Sequence, residues 1–374
     1  MAPGSMVEVS RAGLWLLVLL PALVACPSAE PLDPQCDVSA DCGPRELCVD
    51  RACITDDSLP PGEGEGEGEP GDCPTAAPEL DGPATPVEQS VSLEDAGGTG
   101  RALGLTLLLP EGVAAAPVLI LHPGFQLGGE QYRSYAEHLA TRGIAAVLLE
   151  PPYALFGGPT HVELADMMSG VLDWLETESA VGGSLQGAVD PARVVLAGHS
   201  LGGKIAMLTA ARDARALGVF GIDPVDAAGG PGSSPSPDNP SVAPELMGEI
   251  LVPVAVVGET TNATCSGFLC QACAPAEENF QQYYGAASAP SWQAEVLGAN
   301  HMSFLDDPDC GFTCNACDAG TDDPTETRRL TRRWLTAFVE HRMGDECARA
   351  WLVGEAMQAE VDSGAVTFAT ANGF

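Results

Sequence analysis

Short apolar runs alternate with longer amphipathic stretches over most of the chain from about residue 85 onward. Leu103 to Leu109, Val118 to Leu121, Ile144 to Leu149, Val194 to Ala197, Val219 to Ile222, Leu251 to Val257 and Trp292 to Leu297 have strand length and branched or leucine-rich content. Each reads as a strand buried on both faces. Between them, Glu130 to Arg142, Val162 to Glu178, Leu201 to Arg215 and Thr325 to Arg342 carry apolar residues at helical spacing. Alternation of this kind predicts an α/β fold, a mostly parallel, doubly wound sheet with helices on both faces. Function in such sheets gathers at the carboxyl ends of the strands.

The pattern breaks down before residue 85. One apolar run, Leu14 to Ala25, follows Arg11 and is too short to span a bilayer, which takes roughly 20 residues. It reads as the core of a signal peptide over residues 1–25, with Met6 an alternative start. The run closes on Leu23-Val24-Ala25-Cys26, which resembles the lipobox of bacterial lipoproteins and makes Cys26 the candidate for lipidation. The expected localisation is the bacterial cell envelope, exported and lipid-anchored at the outer membrane or cell surface. Residues 26–57 hold Cys36, Cys42, Cys48 and Cys53 in a segment too polar for a core of its own, which reads as a small disulfide-rich module. Residues 58–74 contain Glu63, Glu65, Glu67 and Glu69 alternating with glycine; self-repelling charges on a flexible backbone make a tether. Residues 75–374 form the large domain.

Acids outnumber bases 52 to 16 in 374 residues, a net charge of −36, and Lys204 is the one lysine. Nucleic acid is excluded as a partner, because phosphate contacts need clustered cations. The same balance suggests a self-repelling exterior suited to salty water, with Lys204 lying on that surface just after Gly198-His-Ser-Leu-Gly-Gly203. Of 13 cysteines, 12 remain if Cys26 carries lipid, and all can pair. Cys265, Cys270, Cys273 and Cys310, Cys314, Cys317 flank the loops nearest His301, leaving Cys73 and Cys347 to tie the ends of the domain. Two C-x-x-C spacings allow zinc, but an exported chain favours disulfides, so no metal and no cofactor is expected.

Candidate chemistry lies where the strands end. The strand ending at Ala197 runs into Gly198-His199-Ser200-Leu201-Gly202, and a helix follows at once. Small residues two before and two after Ser200 let the backbone close into a turn that holds the hydroxyl clear of the sheet, as a nucleophile requires. A serine needs a base. Of the six histidines, His301 sits just past the last predicted strand and downstream of the serine, whereas His122 and His199 are expected to pack or hydrogen-bond locally. The acid that orients the base is Asp223 or Glu259, each directly after a strand; position alone leaves them even. The N–H groups of Leu201 and of Phe125, in Leu121-His122-Pro123-Gly124-Phe125, are the expected oxyanion hole.

These residues carry a resemblance. His122-Pro-Gly-Phe-Gln-Leu-Gly128, then Tyr132 to Gly143, the turn Gly198 to Lys204, Gly221-Ile-Asp-Pro-Val-Asp226, Cys273-Ala-Pro275 with Asn279, and His301-Met302 with Leu305-Asp-Asp307 resemble chlorophyllases and related bacterial polyester hydrolases of the α/β-hydrolase superfamily. Leu201 stands where those enzymes usually carry arginine. The resemblance spans roughly residues 85 to 345. It implies an α/β-hydrolase fold and a carboxylic ester hydrolase using a serine triad, with an ester as substrate; separately, the chain is expected to be a monomer, with the membrane as partner through Cys26. The resemblance also favours Asp223 as the acid, with Glu259 and Asp226 as alternatives. Two further readings stand beside it: a lipase or polyester depolymerase of the same fold, and a non-catalytic surface binding lipoprotein.

Overall fold

The computed structural model describes residues 46–49, 52–55, 73, 76–154, 157–229, 233–265, 272–308 and 317–374. The chain divides into two units between Gly71 and Asp72. In the first, strands β1 (Glu46–Val49) and β2 (Ala52–Thr55) pair antiparallel, with the backbones of Cys48 and Cys53 directly opposite. The signal peptide, Cys26, Cys36, Cys42 and the glutamate tether lie outside the described residues, as do Cys270, Cys310 and Cys314.

The second unit is built on nine strands: β3 (Pro86–Leu93), β4 (Leu103–Pro110), β5 (Ala116–His122), β6 (Ala145–Glu150), β7 (Val189–His199), β8 (Val219–Ile222), β9 (Val254–Gly258), β10 (Ser291–Val296) and β11 (Val366–Ala371). Their order across the sheet is β11-β10-β9-β8-β7-β5-β6-β4-β3. The six strands from β10 to β6 are parallel, and antiparallel strands complete both edges. The helices are α1 (Arg133–Thr141), α2 (His161–Ser179), α3 (Leu201–Arg212), α4 (Phe280–Ala286), α5 (Pro324–Arg342), α6 (Ala350–Val353) and α7 (Glu355–Asp362).

The apolar runs form strands because both faces of the sheet are covered. In β5, Val118 and Ile120 point into one core with Met167, Met168 and Ile205 of α2 and α3. Leu119 and Leu121 point into the other, with Tyr135 and Leu139 of α1 and Leu330, Trp334 and Phe338 of α5. Alternation of polar and apolar positions vanishes in such a strand, and the run reads as continuously hydrophobic. α2 begins in a capping box, with Thr160 accepting the Glu163 N–H and Glu163 accepting that of Thr160, which ties down otherwise unpaired donors.

Several boundaries differ from expectation. The helix foreseen over 130–142 opens as a tight turn, Gly129–Tyr132, before α1. α3 stops at Arg212, where the backbone turns extended at Asp213 and Arg215 folds back to pair with that carboxylate. β9 starts at Val254, because Pro253 lacks an N–H and Leu251 stands exposed. The described cysteines of the large unit are disulfide-bonded: Cys73 to Cys347, Cys273 to Cys317, and Cys265 as well.

Candidate active site

Five neighbouring strands deliver their carboxyl ends to one place. β7 ends at His199 and leads into Ser200, β8 into Asp223, β9 into Glu259, β10 through a short loop into His301, and β5 into Gly124 and Phe125. The turn at Ser200 is as tight as its glycines imply. A Cβ on Gly198 would lie 2.2 Å from the backbone of Gly202, and one on Gly202 would lie 2.1 Å from the carbonyl oxygen of His122. Ser200 itself sits at φ 55° and ψ −123°, strained for a residue with a side chain.

That backbone lifts the hydroxyl toward His301. Ser200 Oγ lies 2.8 Å from His301 Nε2, and His301 Nδ1 lies 2.6 Å from Asp223 Oδ2. A carboxylate accepts only, so Nδ1 carries the hydrogen and Nε2 is free to take one. His301 and Asp223 are 3% and 0% exposed. Burial draws the imidazole down to about 4, keeping it neutral, with Nε2 unprotonated, at ordinary pH. The arrangement can remove a proton from the serine and hold the resulting imidazolium against a carboxylate.

Of the candidate acids, Asp223 is the one whose carboxylate bonds to the His301 ring. Asp226 accepts hydrogen bonds from the N–H groups of Val242 and Ala243 and the hydroxyl of Ser241, and pairs with Lys204 Nζ at 3.0 Å. It clamps the 241–243 segment. Glu259 donates its backbone N–H to Asp223 Oδ1 at 3.2 Å, and its carboxyl lies alongside that of Asp223. Asp223, Glu259 and His301 offer atoms within 4.8 Å of one another, but Nδ1 and Oδ2 are already spent on each other. Lys204 corrects the sequence reading: it is fully buried beneath the turn, donating to the carbonyls of Asp226 and Ala227, and does not lie on the surface.

Opposite the hydroxyl, Gly124 to Leu127 form a turn closed by the Leu127 N–H on the Gly124 carbonyl at 3.0 Å, with Gln126 at φ 57°. Gly124 packs against Ser200, so close that an added Cβ would lie 3.4 Å from the serine Cβ. Leu201 is the first residue of α3, where a backbone N–H has no partner within the helix. A cavity of about 220 Å³ opens here, lined by Gly124, Phe125, Ser200, His301, Met302 and the Cys273–Cys317 disulfide, with Phe125 half-exposed at its rim.

His199 departs from the local role expected of it. Its Nε2 donates to the carbonyl oxygen of His301, 3.0 Å away, and its Nδ1 accepts from the Tyr132 hydroxyl at 2.8 Å. Tyr132 in turn accepts the Gly124 N–H at 3.0 Å. One buried chain of hydrogen bonds therefore joins the Gly124 loop, the serine turn and the His301 loop. His122 does bond locally, to the carbonyl of Pro123. Asn262 completes the support, its Oδ1 accepting the His301 N–H at 2.8 Å. Neither Tyr132 nor Asn262 carries a spacing signal, because each is recruited from a distant loop.

Residues 86–360 match the chlorophyllase family. Chlorophyllase-2 of Arabidopsis thaliana is 26% identical over 235 residues, covering 60% of this chain and 71% of that protein. Chlorophyllase-1 of the same plant is 26% identical over 249 residues, covering 63% and 75%. Chlorophyllase type 0 of Chenopodium album is 26% identical over 225 residues, covering 54% and 59%. With the match spanning most of its length and the sheet carrying helices on both faces, the chain belongs to the chlorophyllase family and is a carboxylic ester hydrolase of the α/β-hydrolase type.

Proposed function

We propose that this chain is an exported, lipid-anchored serine esterase with chlorophyllase-like chemistry, working through Ser200, His301 and Asp223. The observation that carries it is the continuous hydrogen-bonded line from Ser200 Oγ through the His301 ring to Asp223. Ser200 attacks the ester carbonyl as its proton passes to His301 Nε2, and the negative charge moves to the carbonyl oxygen. The N–H groups of Phe125 and Leu201 hold that oxyanion; losing one such donor typically costs on the order of 100-fold in turnover. The tetrahedral centre collapses, the alcohol leaves with the proton from His301, and the acyl group stays on Ser200. Water then repeats the sequence, activated by the same imidazole, and releases the acid. Asp223 remains ionised throughout and holds the ring in its Nδ1–H form.

A fluorophosphonate probe should label the wild-type protein and not Ser200→Ala. Labelling that survives the substitution would falsify the assignment of Ser200. The second reading, a lipase or polyester depolymerase, shares this chemistry and differs in the acyl group accepted. The cavity beside Ser200 is small and its rim bears an exposed aromatic ring, which favours an ester with a compact acyl end. Rates on chlorophyll, a short-chain ester, a long-chain triglyceride and a soluble polyester separate the readings; a clear preference for the triglyceride makes it a lipase.

A further inference from the structure

We infer that Glu259 is a neutral acid in the resting protein, its proton directed at Asp223, and that it is a positioning residue for the Ser200–His301–Asp223 triad. The inference rests on the function proposed above for that triad. Glu259 is fully buried. Its Oε2 accepts the Asn262 N–H at 2.8 Å, while Oε1 is sealed from water with no hydrogen-bond partner. An orphaned oxygen on a buried anion is among the costlier arrangements a protein can hold. The same oxygen on a neutral acid becomes a donor, and an acceptor stands beside it. The titratable groups facing Glu259 among the described residues are Asp223, at the end of β8, and His301, after β10. No described arginine or lysine pairs with it. Asn262, from its own loop, is uncharged.

Two carboxylates side by side in a dry site cannot both keep their charge, and the proton is shared by the pair. Asp223 accepts the His301 ring N–H, which carries positive charge whenever the imidazole is protonated, and the Glu259 backbone N–H, whereas the Glu259 carboxyl meets only neutral backbone N–H groups, of Asn262 and Thr261. The charge therefore rests on Asp223 and the proton on Glu259. Burial and the neighbouring Asp223 push the Glu259 carboxyl up to about 9. A second link runs through Asn262, whose N–H is held by Glu259 and whose Oδ1 holds the His301 backbone. One side chain thus steadies the acid directly and the base through its loop.

The sign of the pH effect follows. The unfolded chain gives up this proton near 4.5 and the folded protein keeps it to about 9, so wild-type stability falls as pH rises through that window. Glu259→Gln keeps a donor for Asp223 and an acceptor for Asn262 but has no proton to lose. Its melting temperature should gain steadily on the wild type from pH 5 to pH 9; a gap that does not change with pH overturns the inference. The infrared difference between wild type and Glu259→Gln at pH 7 should show the carbonyl stretch of a protonated carboxylic acid, and an ionised-carboxylate band in its place overturns it equally. Glu259→Gln should also keep most of its kcat, where Glu259→Leu loses roughly 10-fold or more. Neither the melting nor the infrared measurement needs turnover. If Ser200 is not labelled while both hold, the proposed reaction falls and the acid pair stands.

Discussion

Ser200 and Asp223 share an uncommon backbone state, at φ 55° and φ 42°, although both carry side chains. Such conformations cost on the order of 1–3 kcal/mol each and persist only where the surroundings enforce them. Here the enforcement is visible. The Ser200 N–H donates to the Ile222 carbonyl at 3.0 Å, and the Asp223 N–H to that of Val257 at 2.6 Å, so each strained residue is fastened to the next strand. Tyr132 is the most exposed point of this scheme to mutation despite being wholly buried. Tyr132→Phe leaves the Gly124 N–H and His199 Nδ1 without partners in a dry site, at a cost of about 1–3 kcal/mol. The expected outcome is a lower melting temperature together with a fall in kcat, as the Gly124 loop loosens beside Ser200; unchanged kcat would mean that the loop is held by other contacts. Ser200, His301 and both candidate acids were legible in sequence, because each directly follows a strand or lies in a loop just past one. Tyr132, His199 and Asn262 were not legible in their present roles. Their partners lie up to 102 residues away, and a hydrogen bond of that kind leaves no local pattern.

The elements that sequence reveals are those buried on both sides. β5, β8, β9 and the second half of β7 announce themselves as apolar runs, whereas β3 (PVEQSVSL) and β11 (VTFATA) lie at the edges, face water over much of their length and look like loop. The short helices α4, α6 and α7 give too few turns for a periodicity to emerge. At the β7–α3 junction, packing leaves little choice of residue. Gly202→Ala would place a methyl 2.1 Å from the His122 carbonyl, a backbone atom that cannot swing aside. The strand β5 and the helix α3 must then separate, and overpacking of this kind costs typically about 1–3 kcal/mol. Reduced melting temperature and loss of fluorophosphonate labelling are expected together, since the same movement carries Gly124 away from Ser200. A variant that labels at the wild-type rate would show that the turn tolerates a wider crossing.

At the scale of the whole molecule, charge is arranged more economically than the total suggests. The arginines of the large unit are largely engaged: Arg329 and Arg333 of α5 hold Glu79 and Glu360, and Arg215 holds Asp213, Asp173 and Glu176. The Cys73–Cys347 bridge closes a span of 274 residues, for which chain-entropy arguments give up to about 5 kcal/mol of stabilisation. The chain's single lysine is withdrawn altogether, its ammonium held by Asp226 and two carbonyls under the serine turn. The folded protein therefore presents no side-chain amine to its surroundings. Sugars, aldehydes and activated esters that consume lysines should leave it intact, and a lysine-specific protease should find its one cleavage point sealed. Mass spectrometry after treatment with an amine-directed acylating reagent checks this. Lys204 should stay unmodified in the native protein and react once it is denatured, and prompt native modification would show that α3 opens readily. Any attempt to immobilise this enzyme on a support will have to grip it by its carboxylates.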